Sequence, residues 1–467
     1  MPSHDLAFMP ASDLSVAIRT KRVSPAEAVD AVLDRIQRLN PRLNAYCTVT
    51  TESARREAQA AEAAVMRGDR LGPLHGVPVS VKDLVITRGV RTTFGSWIYE
   101  TNVPGEDAPL VERLKAAGAI LVGKTTSPEF GWKGATDSPL CGITRNPWNL
   151  ERTPGGSSGG AGAAVAAGLA PLAVGTDGGG SIRIPGSFCG VFGLKPTYGL
   201  VPVYPPSPVG TLSHAGPMTR TVRDAALMLQ VMAGSDDRDP LSFPSLGVDF
   251  VAALEGGVRG LRVAWSPTLG YAMVDPEVRA VTEKAARRFH DLGCRVDQVD
   301  RVFDDPDPIW APLFYAGIAA RLNDFLPEWR ARMDPGLVEV VEAGQRISAI
   351  EFAKAAFARA TFTEAVRKFF LQYDLLITPT LAVPPFAAGL EQPPNRPAGS
   401  RLAWVAFTYP FNLTGQPAAT VPCGFTRDGL PIGLQIVGRR LEDATVLRAA
   451  AAFEAAAPWA DRRPPLG

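Results

Sequence analysis

The chain has 467 residues, and its 48 lysines and arginines balance 47 acidic residues, so the formal net charge at pH 7 is +1. This balance, with no run of like charges, excludes the basic surface that drives binding to nucleic acids or anionic membranes. The five cysteines are scattered and show neither a CxxC pair nor a zinc-ligand spacing, which indicates reduced thiols in a cytoplasmic protein.

The N-terminal part is predicted to be helical. Its first residues, MPSHDLAFMP, contain no basic segment followed by an apolar core, so we expect no signal peptide. Helices are predicted over 12–39, because Ser24 and Glu27 form a capping box and Pro25 stands at the first helical position. Thr51–Arg67, which is rich in alanine and glutamate, is predicted to form a further helix.

Alternating residues in LHGVPVSVKDL (74–84) predict a strand that carries Lys82. Val77, Val79 and Val81 would share one face of this strand, and Lys82 would lie on the other. A lysine on such a segment is most often solvated, with a pKa near its ordinary value. A covering layer of small residues would instead bury the amine and lower its pKa.

The segment GAILVGKT (118–125) matches the GxxxxGK[ST] pattern of a phosphate-binding loop. Its four middle residues favour a buried strand over a turn around an anion, and a helix predicted over 108–117 precedes it where a strand is required. We therefore expect a strand over 119–122 and interpret the match as accidental, which leaves nucleotide binding as a weaker hypothesis.

Two glycine clusters with serines mark TPGGSSGGAGAAVAAGLAPLAVGTDGGGSIR (153–183). Residues 153–176 are uncharged and long enough to span a membrane, but glycine, alanine and serine favour a buried, closely packed segment. In the second cluster, 178–181, backbone N–H groups without large side chains could converge on an anionic oxygen. The serines of both clusters are therefore candidates for nucleophilic chemistry.

Two kinds of base could activate such a serine. A GxSxG match would select Ser158 with a histidine, and the pattern does not exclude His75 or His214, although no apolar strand precedes the motif. A neutral lysine is the other candidate. Lys82 fits this role, whereas Lys195 is expected in an exposed loop, where its pKa would stay high.

Beyond residue 240, short strands alternate with helices, which is typical of a layered α/β fold. Strands are predicted over 261–265, 294–299, 374–378 and 434–437, helices over 276–292, 305–370 and 444–455, and a proline-rich loop over 390–400. Five aromatic residues of the long helical part are interpreted as core rather than pocket: Trp310, Phe314, Tyr315, Phe325 and Trp329.

Together these segments resemble the amidase signature hydrolases. The resemblance is carried above all by 153–183, and also by LHGVPVSVKD, RNPWN, GLKPTYG, YDLLITPT and YPFNLTGQPAATVP. It implies an α/β fold with a mixed central β-sheet covered by helices on both faces, in one large domain. Within 1–467 we expect N-terminal helices (1–70), a catalytic core (71–240), a variable, mostly helical insertion on the substrate side (241–370) and a C-terminal return to the core (371–467).

The resemblance also implies roles for individual residues. It predicts a Ser–cis-Ser–Lys triad, in which Ser181 attacks, Ser157 follows a cis peptide bond and relays the proton, and Lys82 is the base. The oxyanion would be held by the backbone of Gly178, Gly179, Gly180 and Ser181. Supporting positions are Ser158, Asp177 and Arg183, and substrate-binding positions are Gly131 and Trp132. Neither a metal nor a cofactor is expected.

The activity implied is hydrolysis of carboxylic amide bonds in small aryl or alkyl compounds, with esters and carbamates as further substrates. The expected partner is a small-molecule amide, with neither nucleic acid nor membrane, and a homodimer is compatible with the sequence. The alternative is the A subunit of a glutamyl-tRNA(Gln) or aspartyl-tRNA(Asn) amidotransferase, a glutaminase that acts within a complex. The C-terminal YPFNLTGQP resembles the stand-alone amidases more closely.

Overall fold

A computed structural model describes residues 6–245, 247–394 and 401–466. Its strands in chain order are β1 Tyr46–Val49, β2 Pro78–Lys82, β3 Ile120–Thr125, β4 Asp137–Ser138, β5 Gly142–Ile143, β6 Leu172–Asp177, β7 Phe192–Lys195, β8 His214–Thr219, β9 Arg262–Trp265, β10 Arg295–Gln298, β11 Leu375–Pro379, β12 Ala418–Phe425 and β13 Pro431–Gly438. Among the described residues, eleven of these strands form one sheet in the order β1-β3-β2-β6-β8-β7-β12-β13-β11-β9-β10, and β4 and β5 pair separately.

Helices cover both faces of this mixed sheet. They are α1 Ala11–Arg19, α2 Pro25–Leu43, α3 Thr51–Arg67, α4 Pro109–Ala116, α5 Gly159–Ala166, α6 Arg183–Cys189, α7 Val222–Met232, α8 Pro276–Asp291, α9 Asp307–Leu322, α10 Leu326–Trp329, α11 Pro335–Gln345, α12 Ala349–Gln372, α13 Pro410–Thr414 and α14 Asp443–Ala456. Every residue of β2, β3, β8 and β13 is buried, as expected for strands covered on both faces. The predicted fold, a single large α/β domain, is confirmed.

The strand order places the ends of β2 and β6 side by side. β2 lies between β3 and β6 and runs parallel to both. Parallel strands end at the same edge of a sheet, which is where open α/β sheets hold their ligands. Lys82 ends β2 and Asp177 ends β6, so the predicted site residues from two distant segments meet at one edge.

The glycine-rich stretch is a closely packed interior segment. It contains α5, every residue of which is buried, and β6. A Cβ atom added to Gly160 would lie 2.4 Å from Thr126 Oγ1, so a larger residue would collide with its surroundings. Among the described residues, no helix is long and apolar enough to cross a membrane. The prediction of a buried packed segment is confirmed.

The N-terminal helices form as predicted. Ser24 Oγ accepts a hydrogen bond from the backbone N–H of Glu27 at 3.1 Å, and Glu27 Oε2 accepts one from the N–H of Ser24 at 2.8 Å. This reciprocal capping box fixes the start of α2. Helix α3 has the predicted bounds, Thr51–Arg67.

The segment that matches a phosphate-binding loop is strand β3. Its Lys124 is fully buried, and Nζ donates to Val85 O, to Thr87 Oγ1 at 2.8 Å and to Thr92 Oγ1 at 3.0 Å. Because the lysine has no access to an anion and the backbone N–H groups belong to a sheet, nucleotide binding by this segment is excluded.

The second half of the chain contains the predicted strands and helices, with shifted ends. Strands β9 and β10 extend the central sheet beyond β11. The segment 241–370, expected to be a mostly helical insertion, thus contributes two strands to the sheet as well as helices α8 to α12, and its place on the substrate side stays a prediction. Residues 395–400 of the predicted proline-rich loop lie outside the described residues.

Candidate active site

Lys82 is a buried amine surrounded by hydroxyl groups. Its Nζ lies within hydrogen-bond distance of Ser157 Oγ at 2.7 Å, Ser158 Oγ at 2.9 Å and Thr176 Oγ1 at 2.9 Å. The side chain is fully buried, and burial lowers the pKa of Lys82 well below its ordinary value, while the charge of Asp177 opposes this shift. The interpretation of Lys82 as a solvated lysine is therefore wrong.

Ser157 lies between this amine and an open cavity. The Gly156–Ser157 peptide bond is cis, as the resemblance implies. Ser157 is almost fully buried, yet it contributes to the cavity wall. Close packing surrounds it, since a Cβ atom on Gly131 would lie 3.3 Å from Ser157 Oγ and 2.6 Å from Leu84 Cδ1.

Ser158 binds backbone groups rather than the cavity. Its Oγ donates to Thr176 O at 3.1 Å and accepts from the N–H of Thr176 at 3.2 Å. Its own N–H donates to Ser181 O at 3.1 Å. Ser158 thus connects the lysine, β6 and the turn that carries Ser181, which fits a supporting position and not the nucleophile that the GxSxG match would select.

Asp177 fixes the turn 178–181, which joins β6 to α6. Its Oδ1 accepts from the N–H of Gly180 at 2.7 Å, and its Oδ2 accepts from the N–H of Ile182 at 3.2 Å. Arg183 Nη2 lies 2.9 Å from Asp177 Oδ1, and both side chains are fully buried. Burial alone would raise the pKa of Asp177, but Arg183 and Asn412 hold it well below its ordinary value.

Arg183 also connects this turn to the C-terminal part of the chain. Its Nη1 donates to Thr408 O and to Gln435 Oε1, each at 2.8 Å, and its Nη2 donates to Asn412 Oδ1 at 2.7 Å. Its Nε donates to Asp177 Oδ2 at 3.0 Å, so all of its guanidinium nitrogens have acceptors. Arg183 and Asp177 thus hold the turn in place, which fits the supporting role predicted for them.

The peptide groups of the turn are oriented by bonds to two carbonyls. Trp310 Nε1 donates to Gly178 O at 3.2 Å, and Thr408 Oγ1 donates to Gly179 O at 2.7 Å. The N–H groups of Gly178, Gly179 and Ser181 have no acceptor among the described residues. These three residues, unlike Gly180, line the cavity.

Gly180 departs from the expected set of four oxyanion donors. Its N–H is engaged by Asp177 Oδ1, at a φ of 132° in a region that favours glycine. A Cβ atom here would lie 2.4 Å from Thr408 Oγ1. Gly180 therefore allows the turn to close, and three N–H groups rather than four remain to bind a ligand.

The alternative bases are bound elsewhere. His214 is buried, with Nδ1 2.9 Å from Leu212 O, and His75 Nε2 lies 3.0 Å from Ala61 O, so neither ring is hydrogen-bonded to a serine of the site. The expectation that Lys195 lies in an exposed loop is wrong, because the residue is fully buried at the end of β7. Burial lowers its pKa as well, but its Nζ is held by backbone carbonyls, including that of Gln416.

One cavity of about 460 Å³ opens onto Ser157 and Ser181. Gly131 and Trp132, the predicted substrate-binding positions, line it. Its walls are mainly apolar and aromatic, formed by Leu84, Phe94, Tyr99, Phe130, Val209, Trp310, Phe314, Tyr315, Ile318, Trp404 and Val405 among others. Charged side chains that contribute to the lining are Lys133, Arg321, Glu391 and Arg401.

Three aromatic residues interpreted as core belong to the cavity wall. They are Trp310, Phe314 and Tyr315, and the first two stack with ring centroids 4.3 Å apart. Helical spacing cannot distinguish a core residue from a pocket residue, since both faces are apolar. Sequence reasoning also missed Thr408, which belongs to no motif and yet orients the turn.

The comparisons with known proteins agree with this geometry. The model of the Amidase family matches residues 27–447. An acylamidase of Rhodococcus erythropolis is 41% identical over 99% of this chain and 98% of its own length. The glutamyl-tRNA(Gln) amidotransferase of Moorella thermoacetica has an A subunit that is 39% identical over 99% of both chains. The crystal structure of a bacterial aryl acylamidase of the amidase signature enzymes, 34% identical, matches with a TM-score of 0.91 over 98% of both chains.

A second solved structure, 6-aminohexanoate cyclic dimer hydrolase, is 32% identical and matches with a TM-score of 0.90 over 98% of this chain and 99% of its own. Relatives above 30% identity thus align over nearly the full length of the chain. The family model covers both serine–glycine motifs and every strand of the central sheet. On this evidence the chain belongs to the amidase family and is an amide-hydrolysing enzyme.

Proposed function

We propose that the protein hydrolyses small aryl or alkyl amides through an acyl-enzyme on Ser181. The observation that carries this proposal is the buried Lys82, hydrogen-bonded to Ser157 beside the cavity that Ser181 also lines. A lysine with a lowered pKa can be neutral at physiological pH and accept a proton. No other described lysine or histidine is hydrogen-bonded to a serine of the cavity.

The mechanism begins with proton transfer from Ser181 through Ser157 to neutral Lys82. Ser181 Oγ forms a bond to the substrate carbonyl carbon, and the carbonyl oxygen becomes negative. The N–H groups of Gly178, Gly179 and Ser181 would stabilise it, and one such donor is typically worth roughly 10²–10³ in rate. The C–N bond then breaks as the protonated relay gives its proton to the leaving amine. Water, deprotonated by the same relay, hydrolyses the acyl-enzyme.

The substrate class follows from the wall of the cavity. Aromatic and aliphatic side chains surround the serines, and burial of apolar surface is worth roughly 0.8 kcal/mol per methylene. An acyl or aryl group without charge therefore fits best. The names of the relatives, an acylamidase and an aryl acylamidase, support this choice. Esters and carbamates would react at the same serine, since their leaving groups need less protonation.

An amidotransferase A subunit is the second candidate, because one such subunit is 39% identical over nearly the whole chain. Its glutamine substrate carries an ammonium and a carboxylate, whereas most of the cavity wall is apolar and its charged lining consists of Lys133, Arg321, Glu391 and Arg401. We therefore rank the stand-alone amidase first. The five cysteines are all thiols, which fits the reducing, cytoplasmic setting that we infer for it.

The purified chain, without added partners, tests the proposal. We expect release of 4-nitroaniline from neutral acyl anilides, with no glutaminase activity of comparable rate. Ser181→Ala should abolish hydrolysis, whereas Ser53→Ala, on the outer helix α3, should retain it. Hydrolysis that survives Ser181→Ala would refute the nucleophile. Glutamine hydrolysis without anilide hydrolysis would favour the amidotransferase reading.

A further inference from the structure

Cys47 and Cys141 lie side by side in the fold, although they are distant in the sequence. Cys47 belongs to β1, and Cys141 lies in the turn between β4 and β5. Asn44 Nδ2 holds this turn beside the start of β1, since it donates to Cys141 O at 2.6 Å and to Ile143 O at 3.2 Å. The N–H of Cys141 donates to Ser138 Oγ at 3.0 Å, which fixes the turn itself.

The two thiols are in direct contact. The side chains of Cys47 and Cys141 are hydrogen-bonded to each other. Cys47 Sγ also lies 3.5 Å from Lys124 O, on the neighbouring strand β3. Both cysteines are half-buried, so a small reagent can reach them from solvent. Thiols in contact already meet the main geometric requirement for a disulfide, which is that the two side chains point at each other.

Cys141 is the more nucleophilic member of the pair. The hydrogen bond with Cys47 lowers the pKa of the Cys141 thiol below its ordinary value, although burial opposes this shift. Hydrogen bonds from the side chains of Ser138 and Thr93 lower it further. The bond to Cys141, together with burial, raises the pKa of Cys47. Because the thiolate is the form that reacts with oxidants, Cys141 should react first and Cys47 second.

The other three cysteines have a different environment. Burial raises the pKa of the thiols of Cys189, Cys294 and Cys423. Cys189 Sγ donates to Pro154 O at 3.4 Å, and Cys294 Sγ donates to Val258 O at 3.3 Å, so backbone carbonyls hold both groups. Oxidation should therefore select the two thiols that are in contact.

We propose that Cys47 and Cys141 form a redox-sensitive pair, which a hydroperoxide oxidises to a disulfide. The sulfur of Cys141 attacks the O–O bond, so that an S–O bond forms, the O–O bond breaks and an alkoxide or hydroxide leaves. The sulfur of Cys47 then attacks the sulfenic acid on Cys141. The S–S bond forms, the S–O bond breaks, and water leaves with the proton of Cys47. The peroxide gains two electrons, one from each sulfur, and a dithiol reverses the oxidation.

Cys47 has a protective role in this pair. A sulfenic acid without a neighbouring thiol is oxidised further to a sulfinic acid, which a dithiol does not reduce. Rapid attack by Cys47 would stop the oxidation of Cys141 at the reversible disulfide. Transient disulfides of this kind are compatible with a reducing compartment. Neither cysteine lines the cavity, so the proposal is independent of the proposed catalytic mechanism.

Peptide mapping of the full chain tests the proposal. The reduced protein is treated with a slight excess of hydrogen peroxide, quenched in acid, alkylated and digested. We expect two of the five thiols to be lost, a linked pair of peptides that contain Cys47 and Cys141, and full recovery of the thiols with dithiothreitol. Cys47→Ser should instead carry a sulfenic acid on Cys141, which dimedone traps, and should form sulfinic acid with more peroxide.

Cys423→Ser is the matched control, because Cys423 is also half-buried, and it should form the linked peptides as the wild type does. Five free thiols in the treated wild type, or a disulfide that includes a third cysteine, would overturn the pair. A dimedone adduct on Cys47 of Cys141→Ser, with none on Cys141 of Cys47→Ser, would overturn the order of attack. Because the readout is thiol chemistry, these outcomes are distinguishable from failure of the proposed amidase activity.

Discussion

Lys82 can act as a base only while its amine is uncharged. Burial lowers its pKa well below the ordinary lysine value of about 10.4, so the neutral fraction grows as the pH rises through the lowered pKa. We therefore expect kcat/KM for a neutral anilide to rise with pH along a one-proton limb and to level off well below pH 10. Stopped-time assays across a pH series measure this limb.

Lys82→Met provides the control for that pH profile. Without the amine, the rate should fall by roughly 10³ or more, as for other bases that act as a unit with their nucleophile. A limb centred near the ordinary lysine pKa in the wild type would contradict the assignment of Lys82 as a neutral base, because it would mean that the amine is charged at rest.

Trp310 is expected to position the catalytic turn as well as form the pocket wall. Trp310→Phe keeps an aromatic ring but removes the N–H that donates to Gly178 O. One hydrogen bond is worth about 1 kcal/mol, so kcat should fall about fivefold to tenfold, with a smaller change in KM. Steady-state kinetics with an anilide measure both constants.

Ile318→Val, on the same helix and cavity wall, is the matched control for Trp310→Phe. It removes one methylene without touching the turn, so its effect should lie in KM. If Trp310→Phe changed KM alone, as this control does, Trp310 would be a wall residue without a positioning role.

At the scale of single residues, the sequence predicted which residues form the site better than it predicted the surroundings of their side chains. The motifs selected Lys82, Ser157 and Ser181, and the structure brings Lys82 and Ser157 within hydrogen-bond distance. The sequence predicted an exposed Lys195, but both amines prove fully buried, so burial does not distinguish Lys82 from Lys195. What separates them is the acceptor of each Nζ, a hydroxyl in one case and a carbonyl in the other, and that depends on contacts distant in sequence.

At the scale of elements, the Asp177–Arg183 pair connects β6 and α6 to α13 and β13. Arg183→Leu should remove this connection and leave Asp177 buried without its cation. Breaking a buried ion pair by removing one partner costs about 3–5 kcal/mol. We expect the free energy of unfolding, measured by urea denaturation, to fall by that amount.

Arg287→Leu is the comparison for this loss of stability. Arg287 pairs with Glu283 one turn away on the exposed side of α8, at 2.7 Å. Such a pair is worth no more than about 0.5 kcal/mol. Equal losses for the two variants would mean that the buried pair does not connect the elements as its hydrogen bonds indicate.

The elements themselves were predictable where their signals are local. The capping box of α2 and the alternation in β2 depend on neighbouring residues, and both form as predicted. Strand order is different, because β6 pairs with β2 and β8 through contacts that no local pattern encodes. The same limit applies to α9, whose aromatic residues proved to face the cavity rather than the core alone.

At the scale of the whole molecule, the site depends on most of the chain. Lys82 comes from β2, the serines from the glycine-rich segment 153–183, Trp310 from α9 and Thr408 from the segment just before α13. The catalytic turn is therefore held by elements that also form the pocket. In the proposed mechanism, substrate binding and oxyanion stabilisation would therefore depend on the same supporting residues.

The volume of the cavity should therefore limit the size of the acyl group that the enzyme accepts. If the acyl group occupies the apolar volume of about 460 Å³, each methylene added to a 4-nitroanilide should raise kcat/KM by up to roughly fourfold, since a buried methylene is worth about 0.8 kcal/mol. The rise should stop once the chain fills the cavity. A series from acetyl to decanoyl anilides measures the slope and the length at which it ends.

Acyl chains of equal length that end in a carboxylate are the control for this series. A carboxylate placed among the aromatic walls beside the serines would lose its hydration, and only Lys133, Arg321 and Arg401 of the cavity lining could pair with it, so carboxylate-ended anilides too short to reach these cations should react far more slowly than their methyl-ended counterparts. A kcat/KM that falls from acetyl onward would mean that the acyl group does not lie in the cavity. The cavity would then belong to the leaving amine, and lengthening the amine in place of the acyl chain should produce the same rise.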